Sequence, residues 1–196
     1  MKNKTIPIIL ALVFVIGGSA VLYNYLSDRT ELPDMLAAQE QSIEQTESHA
    51  ESAESEKIKA LDFTVQDATG NAVNLSDLFG KPIVLNFWAS WCPPCKAEMP
   101  DFNTVFEELG GDVHFMMLDA VDGARETREK GEAYVAEHGF TFPVYYDMEQ
   151  DAVMQYGIRA FPTTIFIDSE GYIVTGVEGA IDENTLRRGI DLIWES

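Results

Sequence analysis

The sequence predicts an α/β protein, a three-layer α/β/α sandwich around a mixed sheet, and three observations carry that prediction. Pro82–Trp88 is a continuous β-favouring apolar run with one polar member, Asn86, as in a strand buried on both faces. Downstream of it, helix-period and strand-like segments alternate, which calls for helices crossing over a sheet. Near the C-terminus two strand-like runs are separated only by Ser169-Glu170-Gly171, a turn that makes the last pair antiparallel.

The elements follow in order from their residues. Ile6–Leu26 is an apolar stretch of 21 residues, about 31 Å long as a helix and so about one hydrocarbon core. Lys2 and Lys4 precede it, and Asp28 and Glu31 follow, so the positive-inside rule keeps the N-terminus cytoplasmic and exports the rest. A cleavable signal peptide is the competing reading, with Gly18 and Ala20 as small residues at a cut. The apolar run continues past them, which favours an uncleaved signal-anchor. No cysteine lies near the N-terminus for lipid attachment.

Ser27–Lys57 carries nine acids against Arg29 and Lys57, a net of −7, and no aromatic residue. Such a segment cannot bury a core and reads as a solvated spacer. The expected organisation is therefore an anchor over 1–26, an acidic disordered linker over 27–58 and a folded domain over 59–196.

In the domain, strand Pro82–Trp88 is followed by a helix bearing Phe102, Val105, Phe106 and Leu109 and stopped by Gly110-Gly111. Next come strand Val113–Asp119, helix Glu126–Glu137, strand Thr141–Tyr146 and a short helix Gln150–Tyr156. Strands Thr163–Asp168 and Tyr172–Val177 then form the hairpin. The last helix, Asp182–Trp194, has Asp182 as N-cap and a buried stripe of Leu186, Ile190 and Ile193. Of the formal charge of −20, the domain carries 24 acids against 9 bases, a net of −15 that repels nucleic acid and anionic headgroups.

The chemistry is concentrated in Trp91-Cys92-Pro93-Pro94-Cys95, which holds both cysteines of the chain. Separated by two residues, they can close on each other within one helical turn and so store two electrons. They sit between a central strand and a helix start, where orphan N–H groups and the positive end of the helix dipole favour a thiolate. Thiol pKa values of about 8.5 fall to roughly 3.5–7.5 in such settings. A zinc site needs four ligands, yet His49, His114 and His138 show no ligand spacing to the pair. Haem attachment needs histidine directly after the second cysteine, where Lys96 stands. The reading is redox, with no cofactor beyond the two sulfurs.

Asn86–Pro100 carries Trp-Cys-x-x-Cys-Lys, and Gly157-Ile-Arg-Ala-Phe-Pro-Thr-Thr164 follows it. In this order the two segments resemble the thioredoxin superfamily over roughly residues 59–196. The resemblance implies a cis peptide at Pro162, lying against the cysteines, and a kink at Pro100. It implies Cys92 as the attacking thiolate, Cys95 as the resolving thiol, and Trp91, Phe161 and Pro162 as the substrate-binding wall. Trp88 reads either as part of that wall or as core.

Within the superfamily the chain looks like the ResA/TlpA-like group of membrane-anchored thiol–disulfide oxidoreductases. Glu98 stands where that group carries an active-site glutamate, and Phe63–Leu75 resembles its N-terminal β-hairpin lead-in. Val121–Phe142 corresponds to its central insert. Asn86 replaces the buried aspartate of plain thioredoxin and cannot accept a proton, which leaves Glu98 as the candidate proton acceptor for Cys95. The bland alternative makes Glu98 a surface residue of the first turns, favoured by the dipole.

The function so implied is extracytoplasmic reduction of disulfides in exported proteins, the haem-attachment cysteines of apocytochrome c among them. Electrons would come from a transmembrane or thioredoxin-type donor. A disulfide oxidant or isomerase is the alternative, since Pro-Pro between the cysteines does not set the direction. A peroxidase is disfavoured by Ala89 where that chemistry needs threonine, and a metal-binding module by the narrow cysteine spacing.

Overall fold

The computed structural model describes residues 57–194. The expected membrane anchor and most of the acidic linker lie outside those residues. Among the described residues no helix is long and apolar enough to cross a membrane.

Eight strands form one mixed sheet. In chain order they are β1 (Ile58–Lys59), β2 (Thr64–Gln66), β3 (Ala72–Asn74), β4 (Ile83–Trp88), β5 (His114–Asp119), β6 (Val144–Tyr146), β7 (Thr163–Ile167) and β8 (Tyr172–Glu178). Their spatial order is β1-β8-β7-β4-β5-β6-β2-β3. Only β4–β5 and β5–β6 run parallel. As the apolar run predicts, β4 is central and buried along its whole length.

Its alternate side chains divide between two cores. Val84 and Trp88 join Phe115, Met117 and Phe166 under α1 (Pro93–Leu109) and α4 (Glu183–Trp194). Tyr134 of α2 (Arg128–His138) closes the same layer. Ile83, Leu85 and Phe87 point to the opposite face and meet Phe63, Leu75 and Ala152. That second layer is thinner than a sandwich of long helices implies. It consists of the five-residue α3 (Asp151–Gln155) and the chain between β1 and β4.

The lead-in does more than form a hairpin. β2 and β3 pair as expected around a turn in which Asp67 Oδ1 accepts from the N–H groups of Thr69 and Asn71. But β1 pairs with β8 at one edge of the sheet, while β2 pairs with β6 toward the other. The chain between them passes across the sheet and buries Ala60 and Phe63.

Element boundaries shift for identifiable reasons. α2 starts at Arg128, not Glu126, because Thr127 Oγ1 caps Lys130 N–H and Glu126 turns inward. β6 is confined to Val144–Tyr146, after Pro143, which has no N–H for a ladder. The expected cap of α4 is present, with Asp182 Oδ1 accepting from Thr185 N–H at 2.9 Å. Its buried stripe is Leu186, Ile190 and Ile193, with Gly189 as a fourth member.

Gly189 is where α4 closes on the sheet. A Cβ there would lie 2.2 Å from Cζ of Phe166, itself fully enclosed. Gly189→Ala should therefore destabilise the domain by about 1–3 kcal/mol, outweighing the gain of up to about 1 kcal/mol in helix propensity. The urea midpoint checks this, and an unchanged or raised midpoint would contradict the packing.

Candidate active site

The site forms where β4 ends and α1 begins. Ala89-Ser90-Trp91 leaves the sheet, and Cys92 becomes the N-cap of α1, with Pro93 and Pro94 at its first positions. Proline suits those positions because their N–H groups lack helical partners anyway. Cys92 Sγ accepts from Cys95 N–H at 3.2 Å, so the helix start is already directed at this sulfur. Cys92 and Cys95 form a disulfide. The sulfur pair is nearly covered: Cys92 is 3% exposed and Cys95 is fully buried. Pro93 and Pro94 are exposed beside it.

Across from the disulfide lies the segment before β7. The Phe161–Pro162 peptide is cis, and the Phe161 carbonyl oxygen is 3.5 Å from Cys92 Sγ. Trp91 meets Phe161 edge-on with ring centroids 6.2 Å apart. Thus Trp91, Phe161 and Pro162, though 71 residues apart along the chain at the extremes, converge on Cys92. Trp88 does not join them. It is fully enclosed against Tyr134 and belongs to the core.

Glu98 lies one turn after Cys95 and is only 2% exposed, so it is not a surface residue. Its Oε1 accepts from Asn86 Nδ2 at 2.9 Å, and its Oε2 from Ile181 N–H at 3.0 Å. Burial pushes its carboxyl up to about 7, against the lowering effect of those two hydrogen bonds. Glu98 therefore exchanges a proton near neutral pH.

Asn86 can accommodate both states. It donates to Glu98 and, at 3.0 Å, to Thr164 Oγ1, while its own Oδ1 has no partner. Turned by half a rotation, the amide would present Oδ1 to a protonated Glu98 and to the Thr164 hydroxyl, both of which can donate.

Two further buried carboxyls escape the sequence reading. Glu126 Oε2 accepts from both the N–H and the hydroxyl of Ser90 at 2.8 Å, fixing the loop that carries Trp91. Asp119, at the end of β5 and opposite Trp88 in register, is fully enclosed. Burial, reinforced by the charges of Glu126 and Asp122, pushes its carboxyl up to about 9. It is held protonated at neutral pH. Gly131 makes this enclosure possible, since a Cβ there would lie 2.0 Å from Asp119 Oδ2. The one available signal was a carboxylate ending an apolar strand at the edge where α/β sheets gather their sites. Glu126 offered none. Among the described residues no three His, Cys, Asp or Glu side chains are grouped to hold a metal ion.

Residues 57–175 match the AhpC/TSA family. The chain belongs to that family. Its similarity to curated relatives is specific: it is 33% identical to the thiol–disulfide oxidoreductase ResA of Halalkalibacterium halodurans over 136 residues, 69% of this chain and 75% of that one. ResA of Bacillus subtilis is 31% identical over 140 residues, covering 71% of this chain and 76% of its own. Among solved structures, the exposed lipoprotein thioredoxin of Streptococcus pneumoniae superposes with a TM-score of 0.60 at 28% identity. That match covers 67% of this chain and 98% of the other. The protein is a thiol–disulfide oxidoreductase with a thioredoxin-like fold.

Proposed function

We propose that the protein is a membrane-tethered, extracytoplasmic reductase of disulfides in exported proteins. The observation that carries the exchange chemistry is the stacking of parts along one short path. Cys92 sits at the helix N-cap beside the Phe161 carbonyl, Cys95 lies behind it, and Glu98 titrates near neutrality one turn further in.

In the reduced enzyme the Cys92 thiolate attacks one sulfur of a substrate disulfide held against Trp91 and Phe161. The substrate's S–S bond breaks, a Cys92–substrate S–S bond forms, and one substrate thiolate leaves. Cys95, giving its proton to the Glu98 carboxylate, then attacks Cys92 Sγ. The mixed disulfide breaks, the second substrate sulfur leaves as thiolate, and the Cys92–Cys95 disulfide forms. Two electrons pass from the enzyme to the substrate, and a transmembrane or thioredoxin-type donor restores them. In the oxidised enzyme both Glu98 oxygens are engaged by Asn86 and Ile181. Each oxygen keeps a second lone pair, so the carboxylate can take the proton while both bonds persist.

The direction is supported by the similarity to proteins named ResA and by the resemblance to reductants of that group. Apocytochrome c is the substrate class which that resemblance suggests. The extracytoplasmic location rests on the apolar 6–26 segment and its flanking charges. The full-length chain should pellet with membranes, and a reporter fused after residue 196 should lie outside the cytoplasm. Recovery of a soluble mature form starting near Val21 would contradict the tether. Trapping in vivo with Cys95→Ser identifies the substrates: covalent partners that are exported proteins with cysteine pairs support the proposal, and cytoplasmic partners oppose it.

A further inference from the structure

Ten basic side chains lie among the described residues, and seven of them are tied to oxygen partners. Lys57, Arg128 and Arg187 pair with carboxylates. Lys59, Lys81, Lys130 and Arg188 donate to carbonyl or hydroxyl oxygens. The remaining three, Lys96, Arg125 and Arg159, are all exposed and have no side-chain hydrogen bond or ion pair among the described residues. In a chain with 33 acids and 13 bases, three cations with no oxygen partner at all among the described residues are unexpected. Each stands against, or within two residues of, Trp91, Cys95 or Phe161.

Each comes from a different element. Arg125, in the loop between β5 and α2, lays its guanidinium 3.3 Å over the ring of Trp91. Its neighbour Asp122 makes no ion pair with it among the described residues; Asp122 Oδ1 instead accepts from the N–H groups of Ala124 and Glu126 at 2.8 Å. Lys96 follows Cys95, and its ammonium rests over the Tyr134 ring at 4.9 Å. Arg159 stands two residues before Phe161, whose carbonyl oxygen meets Cys92 Sγ. Of the acids around this loop, Asp119 is held protonated by burial, and Glu126 is turned inward, its Oε2 taken by the N–H and hydroxyl of Ser90.

We propose that Lys96, Arg125 and Arg159 form a cationic collar that selects substrates whose disulfide is flanked by aspartate or glutamate. A guanidinium stacked flat on an indole keeps its in-plane N–H donors free, which is the geometry that grips a carboxylate with two parallel bonds. At physiological salt the screening length is about 8 Å. Carboxylates docked beside Cys92 therefore feel the collar, while the acidic remainder of the surface is largely screened. The cations also favour a thiolate at Cys92, but that effect would speed every substrate alike. Selection between substrates separates the two roles.

This inference rests on the exchange reading above, and three disulfide-bonded peptides separate their failures. The peptides are identical except for Asp, Ser or Lys on either side of the cysteines, and the full-length reduced protein is assayed for kcat/KM on each. The collar predicts the Asp peptide to exceed the Lys peptide by about tenfold near 0.15 M salt, a preference that shrinks as salt rises. Arg125→Gln and Arg159→Gln should each lower that ratio about two- to threefold. Lys81→Gln, an equal charge change at the opposite end of β4, should leave it unchanged. A ratio near one, or one that the two arginine variants do not alter, overturns the collar even though all peptides are reduced. Failure to reduce even the Ser peptide overturns the exchange reading, and the collar with it.

Discussion

Cys92→Ser should abolish protein-disulfide reduction, a loss of several orders of magnitude, because no thiolate remains to open the substrate's S–S bond. Cys95→Ser should retain the first attack and lose the second, so that covalent enzyme–substrate disulfides accumulate. The asymmetry follows from position. Cys92 is the N-cap sulfur that receives the Cys95 N–H and borders the exposed Pro93-Pro94 pair, whereas Cys95 is fully buried behind it. Timed alkylation of the reduced protein near neutral pH checks the assignment, with Cys92 labelled first. Labelling of Cys95 before Cys92 would reverse the two roles.

Replacing Glu98 with glutamine should change both stability and reactivity with pH, in directions that burial dictates. A carboxyl raised from 4.5 to about 7 on folding binds its proton more tightly in the native state than in the unfolded chain. Its destabilising contribution is absent below pH 4.5, grows as pH rises toward 7, and is constant above, with a ceiling of roughly 3 kcal/mol. Glutamine removes that contribution without orphaning its neighbours. Its carbonyl can accept from Ile181 N–H, and its amide can donate to the unpartnered Asn86 Oδ1 after the Asn86 amide turns. Glu98→Gln should then be more stable than the parent at pH 8, by an amount that vanishes toward pH 4. Asp119, raised to about 9, contributes to the parent's pH slope in the same sense. The informative quantity is therefore the difference between variant and parent in urea titrations across pH. The rate of thiol exchange should also lose its dependence on a group titrating near 7. Parallel stability curves and an unchanged rate–pH profile would reduce Glu98 to a packing residue.

The parts of the site that were legible in the sequence are those fixed by local physics. A continuous apolar run must be a central strand, and a cysteine followed by two prolines at a helix start must be near an N-cap. Asp182, three residues before Thr185, could be read as a cap for the same reason, and the hairpin from its three-residue turn. The parts that were not legible depend on approaches between distant elements. Ile181 N–H reaches Glu98 across 83 residues, and Glu126 reaches Ser90 across 36. Neither leaves a periodicity. Asp119 becomes a neutral acid only because Gly131 lets α2 close over it, and a lone glycine in a helical pattern does not announce that purpose. β1 was missed because two exposed residues carry no amphipathic signal; the pairing with β8 makes them a strand. Arg125 reads as a stray loop charge until the fold lays it over Trp91.

The reduction potential of the Cys92–Cys95 pair decides whether the protein reduces or oxidises its partners, because exchange runs in the direction set by the difference in potential between them. Equilibrating the protein with dithiothreitol or glutathione buffers and counting free thiols gives the value. A reductase account predicts a potential close to thioredoxin's, about −270 mV. A potential above about −180 mV, in the range of protein disulfide isomerase and toward DsbA at about −120 mV, would contradict it and assign the protein to disulfide formation or shuffling.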